Sequence, residues 1–594
     1  MRSMHYSKRI AILFIPLLML GALQNATMAA DGIPDEQYEP PSAVNLTLAG
    51  VRFLDGVTAN LPGYLAANML PYSLETQSYK DVAFCTSIDD AICKAGAVFT
   101  YLAHLPTCLN GEDIDCVVGI YAIRPDGVRV DGVFLRGIPE TLSNPWGGNQ
   151  ELGIPRSGAD GLWSLPGVLN GSGSDTYLVI ATQSGTIIKQ QNVPLTQKDV
   201  SSSMIAGIVP VKVISGSYKS AYNIIETDRT SGARQLRTYP PTGLNVGVCA
   251  GVSTTECDRR EAFPLDVKFG LSLRLSGEIK GWLHGRIRDP LIDYKSSSAA
   301  TTITMQALPV SVPVVAAWTE LVNLPAVYPD GLGNPVSSRA LIGSSSGANM
   351  ISLLKIWLPL VGDKAQANPT VWRFGTLPYF NLPGANACMF DSKSLAGFVS
   401  TNSTVYTAGP PLYNPVTESI DYKLVSPHFT SKGEVFKGTY NLTIRSDVAR
   451  CIYKFTNAPL KATISVTDES GQASVAVESM SERDGWIYLS ASGFTFSSPT
   501  VKVKLFQEAP VSTPTPTPNP TLTPTSTPTP IPIATPTPEV SSSPAVTATP
   551  EKAVSTIKPE TSKKSTITCY KGKTIKKVTT MKPSCPKGYL KKRV

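Results

Sequence analysis

The chain has 594 residues, of which 42% are hydrophobic and only 16% charged; it is too long for one core and apolar enough that most of it must fold. The formal net charge of +8 conceals an uneven distribution: Arg2, Lys8 and Arg9 stand with no acid in residues 1–30, ten lysines and Arg593 stand with no acid in 561–594, and the remaining residues sum to −6. A mildly acidic body lacks the basic face that nucleic-acid binding requires, so no nucleic acid is expected as a partner.

The first element is a leader. Arg2, Lys8 and Arg9 precede the apolar run Ile10 to Leu20, and the small residues Ala26, Thr27, Ala29 and Ala30 follow. That order reads as a secretory signal peptide over 1–30, cleaved after Ala29 or Ala30. The apolar run is short for a spanning helix, and Lys355 and Pro359 interrupt Met350 to Val361. No transmembrane span is expected after cleavage.

Ten cysteines follow, and three successive pairs share one spacing: Cys85/Cys93, Cys108/Cys116 and Cys249/Cys257. An exported chain meets an oxidising compartment, so these are expected as local disulfides. Cys569/Cys585 is expected within the tail, and Cys388/Cys451 by elimination. Each small loop closed this way stabilises by roughly 2–3 kcal/mol. Zinc sites favour C-x2-C spacing and histidine company, and neither is present.

Apolar and polar residues alternate along the body. Val267, Phe269, Leu271, Leu273 and Leu275 interleave with Lys268, Gly270, Ser272 and Arg274, and the pattern recurs at Tyr440-Leu442-Ile444, Ala462-Ile464-Val466 and Val501-Val503-Leu505. Period two predicts half-buried strands. Asp-Gly pairs at 55–56, 126–127, 131–132, 160–161, 330–331 and 484–485 are read as turns between them, because glycine accepts positive φ. The fold class is therefore all-β, as multidomain antiparallel sandwiches. We divide it into β-rich domains over 31–190, 191–320 and 321–436 and an immunoglobulin-like sandwich over 437–508. Trp282, Trp318, Trp357, Trp372 and Trp486 lie in apolar runs and are expected in cores.

Residues 509–565 are a Thr/Pro-alternating linker in which proline removes backbone donors, so neither sheet nor helix can form. Some 40 residues of extended polyproline-II would span on the order of 120 Å. The module 566–594 follows it. Ile567 to Tyr570 and Thr574 to Thr579 are expected to pair as a hairpin about the turn at 571–573, stapled by Cys569/Cys585. Lys571, Lys573, Lys576, Lys577, Lys582, Lys587, Lys591, Lys592 and Arg593 make it a strong field for anions: wall polymers or acidic lipid headgroups.

The tail motif Thr-Ile-Thr-Cys569-Tyr-Lys-Gly-Lys with Lys-Pro-Ser-Cys585-Pro-Lys-Gly-Tyr589, behind a Pro/Thr spacer, resembles a C-terminal module of secreted actinobacterial proteins. The body is similar to uncharacterised secreted proteins of that group at Leu105-Pro-Thr-Cys108, Gly281-Trp-Leu-His-Gly-Arg286 and Asp447-Val-Ala-Arg-Cys451. The resemblance implies export and the surface of a Gram-positive-type bacterium. It transfers no activity.

Two candidate chemistries remain. Gly343-Ser-Ser345-Ser-Gly347 matches G-x-S-x-G, with Ser345 as nucleophile and Asp421 and His428 in the order a hydrolase triad requires. Such short Gly/Ser strings are also ordinary turns. Acidic residues crowd two disulfide loops, Asp89 and Asp90 in one and Glu112, Asp113 and Asp115 in the other, where calcium would find oxygen ligands. Loops are acidic for solubility as well, and the reading assigns no metal and no cofactor. It expects an exported, non-enzymatic envelope or surface protein whose body acts in adhesion or binds an unidentified ligand, with a secreted hydrolase, an esterase using Ser345 or a glycan-active enzyme, as the alternative.

Overall fold

Alternation becomes strands throughout the computed structural model. It describes residues 33–40, 47–55, 61–68, most of 81–507, and 565–571, 574–580 and 590–591. The leader 1–30, Glu112, Ser345, residues 509–564, Cys585, Lys573, Lys582, Lys587, Lys592 and Arg593 lie outside the described residues. The chain divides into two compact units, Met1–Val511 and Ser512–Val594.

The first unit is all-β with short helices, arranged in several sheets. The longest sheet runs from Val82–Phe84 through Tyr64–Asn68, Val98–His104, Thr176–Ile188, Val200–Ser215, Thr370–Thr376, Gly281–Arg286, Leu395–Thr401, Lys437–Arg445 and Trp486–Thr495 to Val477–Arg483. Its neighbours are antiparallel except Gly281–Arg286 beside Leu395–Thr401. Two smaller sheets pack on it, as period-two strands with one apolar face must.

The five-stranded sheet centred on Lys268–Leu275 supplies Phe269, Leu271 and Leu273, which bury against Tyr177, Trp372 and Phe374 of the long sheet. The sheet built on Ser419–Val425, Thr500–Phe506 and Lys461–Thr467 supplies Tyr422, Val501 and Ile464, which bury against Leu442 and Leu489. Strands on the two sides of residue 437 share both of these layers: Leu395–Thr401 pairs with Lys437–Arg445, and Ser419–Val425 pairs with Thr500–Phe506. A third core forms where the sheet of Val315–Glu320, Leu48–Phe53 and Ala340–Gly343 meets the helix Ala348–Trp357, whose Trp357 is fully buried.

Of the tryptophans expected inside, Trp282, Trp357, Trp372 and Trp486 are buried, and Trp318 is half-buried over Gly50. The Asp-Gly reading holds at two hairpins. Gly127 has φ +82°, and Asp484 and Gly485 have φ +50° and +78°, the paired left-handed values of a two-residue turn. It fails at a third, where Asp160 and Gly161 open the strand Asp160–Ser164; Gly56 lies outside the described residues, and the Asp55 side chain before it is buried among arginines.

Candidate functional site

The four disulfides expected in the body are present: Cys85–Cys93, Cys108–Cys116, Cys249–Cys257 and Cys388–Cys451. Cys451 lies on the helix Ser446–Tyr453, so the longest bridge ties a helix to residues 387–390. The acidic loop residues are engaged by protein donors. Asp90 caps the helix Ala91–Ala95 through the Cys93 amide and also accepts from the Thr86 amide at 2.6 Å. Asp113 accepts the amides of Leu109 and Asn110, and Asp115 accepts the amide and hydroxyl of Ser276. Among the described residues, the one group of metal-ligand atoms close enough to hold an ion is Cys85, Asp90 and Cys93. Its two sulfurs are bonded to each other and offer no thiolate.

The hydrolase alternative rests on Ser345, which lies outside the described residues. A short strand, Ala340–Gly343, does lead through Gly347 into a helix, an order the sequence did not suggest. Its proposed partners are not brought together. Asp421 accepts from Ser419 Oγ at 2.5 Å and from Asn414, whereas His428 directs Nδ1 at the Phe496 carbonyl.

Two clusters of buried charge stand out instead. The first joins Asp55, at the end of the Leu48–Phe53 strand, to Arg286 and Arg373 on adjacent strands of the long sheet. Asp55 receives Arg286 Nε on one oxygen and Arg373 Nε on the other, the latter at 2.6 Å. Arg286 spends its remaining fork on the carbonyls of Thr401 (3.0 Å) and Thr404 (3.1 Å) and lies over the Tyr406 ring. Arg373 also bonds the Tyr406 oxygen, and that hydroxyl shares a hydrogen bond with Nδ1 of His284. Burial alone would raise Asp55, but the two guanidiniums outweigh it and hold the carboxyl below its ordinary range. His284 is pushed down to about 3, first by burial and then by Arg373, which keeps the ring neutral.

The second cluster sits where the disulfide hairpin Cys249–Val252/Glu256–Arg260 meets the strands Val133–Ile138 and Asp160–Ser164. Arg136 Nη2 bonds Glu256 and stands 4.0 Å from Asp258 Oδ1. The Asp258 side chain is 2% exposed, and neither its Oδ1 nor Arg136 Nη1 has a hydrogen-bond partner. Gly251 makes the close approach possible, because a Cβ there would lie 2.6 Å from Asp258 Oδ2. Beside them, His104 binds Asp160 through Nδ1 at 2.7 Å and the Leu61 carbonyl through Nε2 at 2.6 Å. Both acceptors only accept, so both ring nitrogens carry protons. Burial disfavours that cation, yet Asp160 outweighs burial and raises His104. Burial pushes Asp258 up to about 7, Arg136 opposes, and Glu256 and Asp160 add to the rise.

The second unit contains the expected hairpin and one further strand. Ser565–Lys571 lies between Thr574–Thr580 and Leu590–Lys591. The register sets Lys576 and Lys591 opposite Cys569 on its two sides, and Lys571 opposite Thr574. No helix among the described residues is long and apolar enough to cross a membrane. Comparison with known proteins finds no family model that matches the chain and no curated protein that matches it.

Proposed function

We propose that the chain is an exported protein whose disulfide-braced β body acts by binding or adhesion, held at an anionic envelope surface by its basic C-terminal sheet. The observation that carries this reading is the segregation of charge. The C-terminal sheet lies in its own compact unit, in a stretch with ten lysines, one arginine and no acid, whereas residues 31–560 sum to −6. So much unopposed positive charge attracts phosphate-bearing wall polymers or acidic headgroups and does so in a salt-sensitive way. Four disulfides in the body fit an oxidising exterior, and the Thr/Pro residues between body and tail fit a spacer. The surface of a Gram-positive-type bacterium is the envelope that the tail motif suggests.

The test compares the partition of the full chain between cells and medium with that of a variant lacking 509–594. The reading expects retention by cells for the full chain, release by about 0.5–1 M salt, where the Debye length falls to roughly 3–4 Å, and loss of retention in the truncation. Equal partition removes it. Covalent labelling of Ser345 by a fluorophosphonate probe would replace it with the hydrolase.

A further inference from the structure

The second charge cluster contains more carboxylates than it has cations to face them. Glu256 and Asp258 come from the hairpin strand and Asp160 from its neighbour across the layer, against Arg136 and the His104 imidazolium. With every acid ionised the group carries one uncompensated negative charge, and Asp258 is a member that water barely reaches. One proton makes it neutral, and Asp258 is where it belongs, because its Oδ1 is the carboxylate oxygen left without a donor. Along the sheet its neighbours are apolar, Val213 opposite it on Val200–Ser215 and Gly251 on the partner strand, and the next charge on its own strand face is Arg260, two residues on. Arg136 and Glu256, at 26% and 31% exposure, form the edge through which a proton enters.

From this geometry we propose that Asp258 is a proton-operated latch. Its neutral form holds the Cys249–Cys257 hairpin against the long sheet, and its ionised form loosens that hairpin at alkaline pH. The tip of the hairpin carries a further arm, since Thr255 and Thr254 accept the amides of Gly216 and Tyr218 and Val252 accepts Ser220 Oγ. That arm continues into the ribbon Tyr222–Thr227/Arg234–Tyr239, with Tyr222 stacked on Tyr239 at 5.0 Å. Loosening the hairpin therefore loosens one footing of a tyrosine-bearing ribbon, whose other is Asn223 donating to the Pro62 carbonyl. A carboxyl that titrates near 7 when closed and near its ordinary value when open raises the opening constant about tenfold between pH 6 and 8.

The experiment is amide hydrogen exchange on the full chain, at pH 5 to 8.5, normalised for intrinsic exchange and read over residues 249–260. Wild type is expected to lose about tenfold in protection between pH 6 and 8, while Asp258→Asn stays level. Glu256→Gln removes the surplus charge by another route, leaves Asp258 ionised beside Arg136, and is expected to flatten the same profile. A wild-type profile that is flat, or that Asp258→Asn leaves unchanged, overturns the latch. If Asp258→Asn does not fold, an undiminished slope in Glu256→Gln overturns it equally.

Discussion

The two buried clusters solve opposite problems. Around Asp55 there is one carboxylate for two guanidiniums, a surplus of positive charge; around Asp258 there are three carboxylates for two cations, a surplus of negative charge. A guanidinium cannot shed its proton at any relevant pH, so the first surplus is permanent. The structure meets it with dipoles: the Thr401 and Thr404 carbonyls and the phenol of Tyr406. A carboxylate can take a proton, so the second surplus is met by chemistry instead, and Asp258 keeps an oxygen without a donor. Fixed charge makes a brace, and titratable charge makes a latch.

The largest effect should come from breaking the brace. Asp55→Asn leaves two buried guanidiniums without a counter-charge, and urea unfolding should show a loss of about 3–5 kcal/mol, the cost of stripping one partner from a buried pair. A change within 1 kcal/mol would mean that carbonyl dipoles suffice alone. Replacing Cys388 and Cys451 together by alanine opens a loop of 63 residues and should cost about 4 kcal/mol on the chain-entropy model. That scales the brace against a covalent link in the same layer. The latch should respond in the opposite direction. Asp258→Asn at pH 8 is expected to stabilise by about 1–3 kcal/mol, because it removes a buried charge whose oxygen lacks a partner.

The smallest effect is spectroscopic and separates the histidines. His104, raised by Asp160, should show the charged form by NMR at pH 7, and His284 should remain neutral at pH 5. His284 has a lowered pKa, so its contribution to stability is full above about 6.5 and falls as pH drops toward 3. Asp258 has a raised pKa, so its contribution is largest below about 4 and declines as pH rises to about 7. Between about pH 4 and 6.5 these slopes cancel in global unfolding. A flat stability curve there would therefore leave both assignments intact, and the variant pair Asp258→Asn and His284→Gln should each expose the other slope.

Much of the fold was legible because its signals are local. Alternation from Val267 to Leu275 marks a strand whose Phe269, Leu271 and Leu273 are wholly buried, and an eight-residue cysteine spacing closes a loop regardless of what surrounds it. The charge clusters were not legible, because Asp55 meets Arg286 and Arg373 across 231 and 318 residues. Asp-Gly misled at Asp160: the dipeptide reports turn chemistry, while there the residue opens a strand and its carboxylate is taken up by His104, 56 residues away. The same ambiguity touched the acidic disulfide loops, where Asp90 and Asp113 close their own turns.

The protonation state of Asp258 decides between brace and latch most directly. Infrared difference spectra of wild type minus Asp258→Asn, recorded on the full chain at pH 6 and pH 8.5, isolate that one carboxyl. The account predicts a protonated carboxylic-acid carbonyl band at pH 6 that is replaced by carboxylate bands at pH 8.5. Carboxylate bands already complete at pH 6 would contradict it, and would make the second cluster a fixed ion pair like the first.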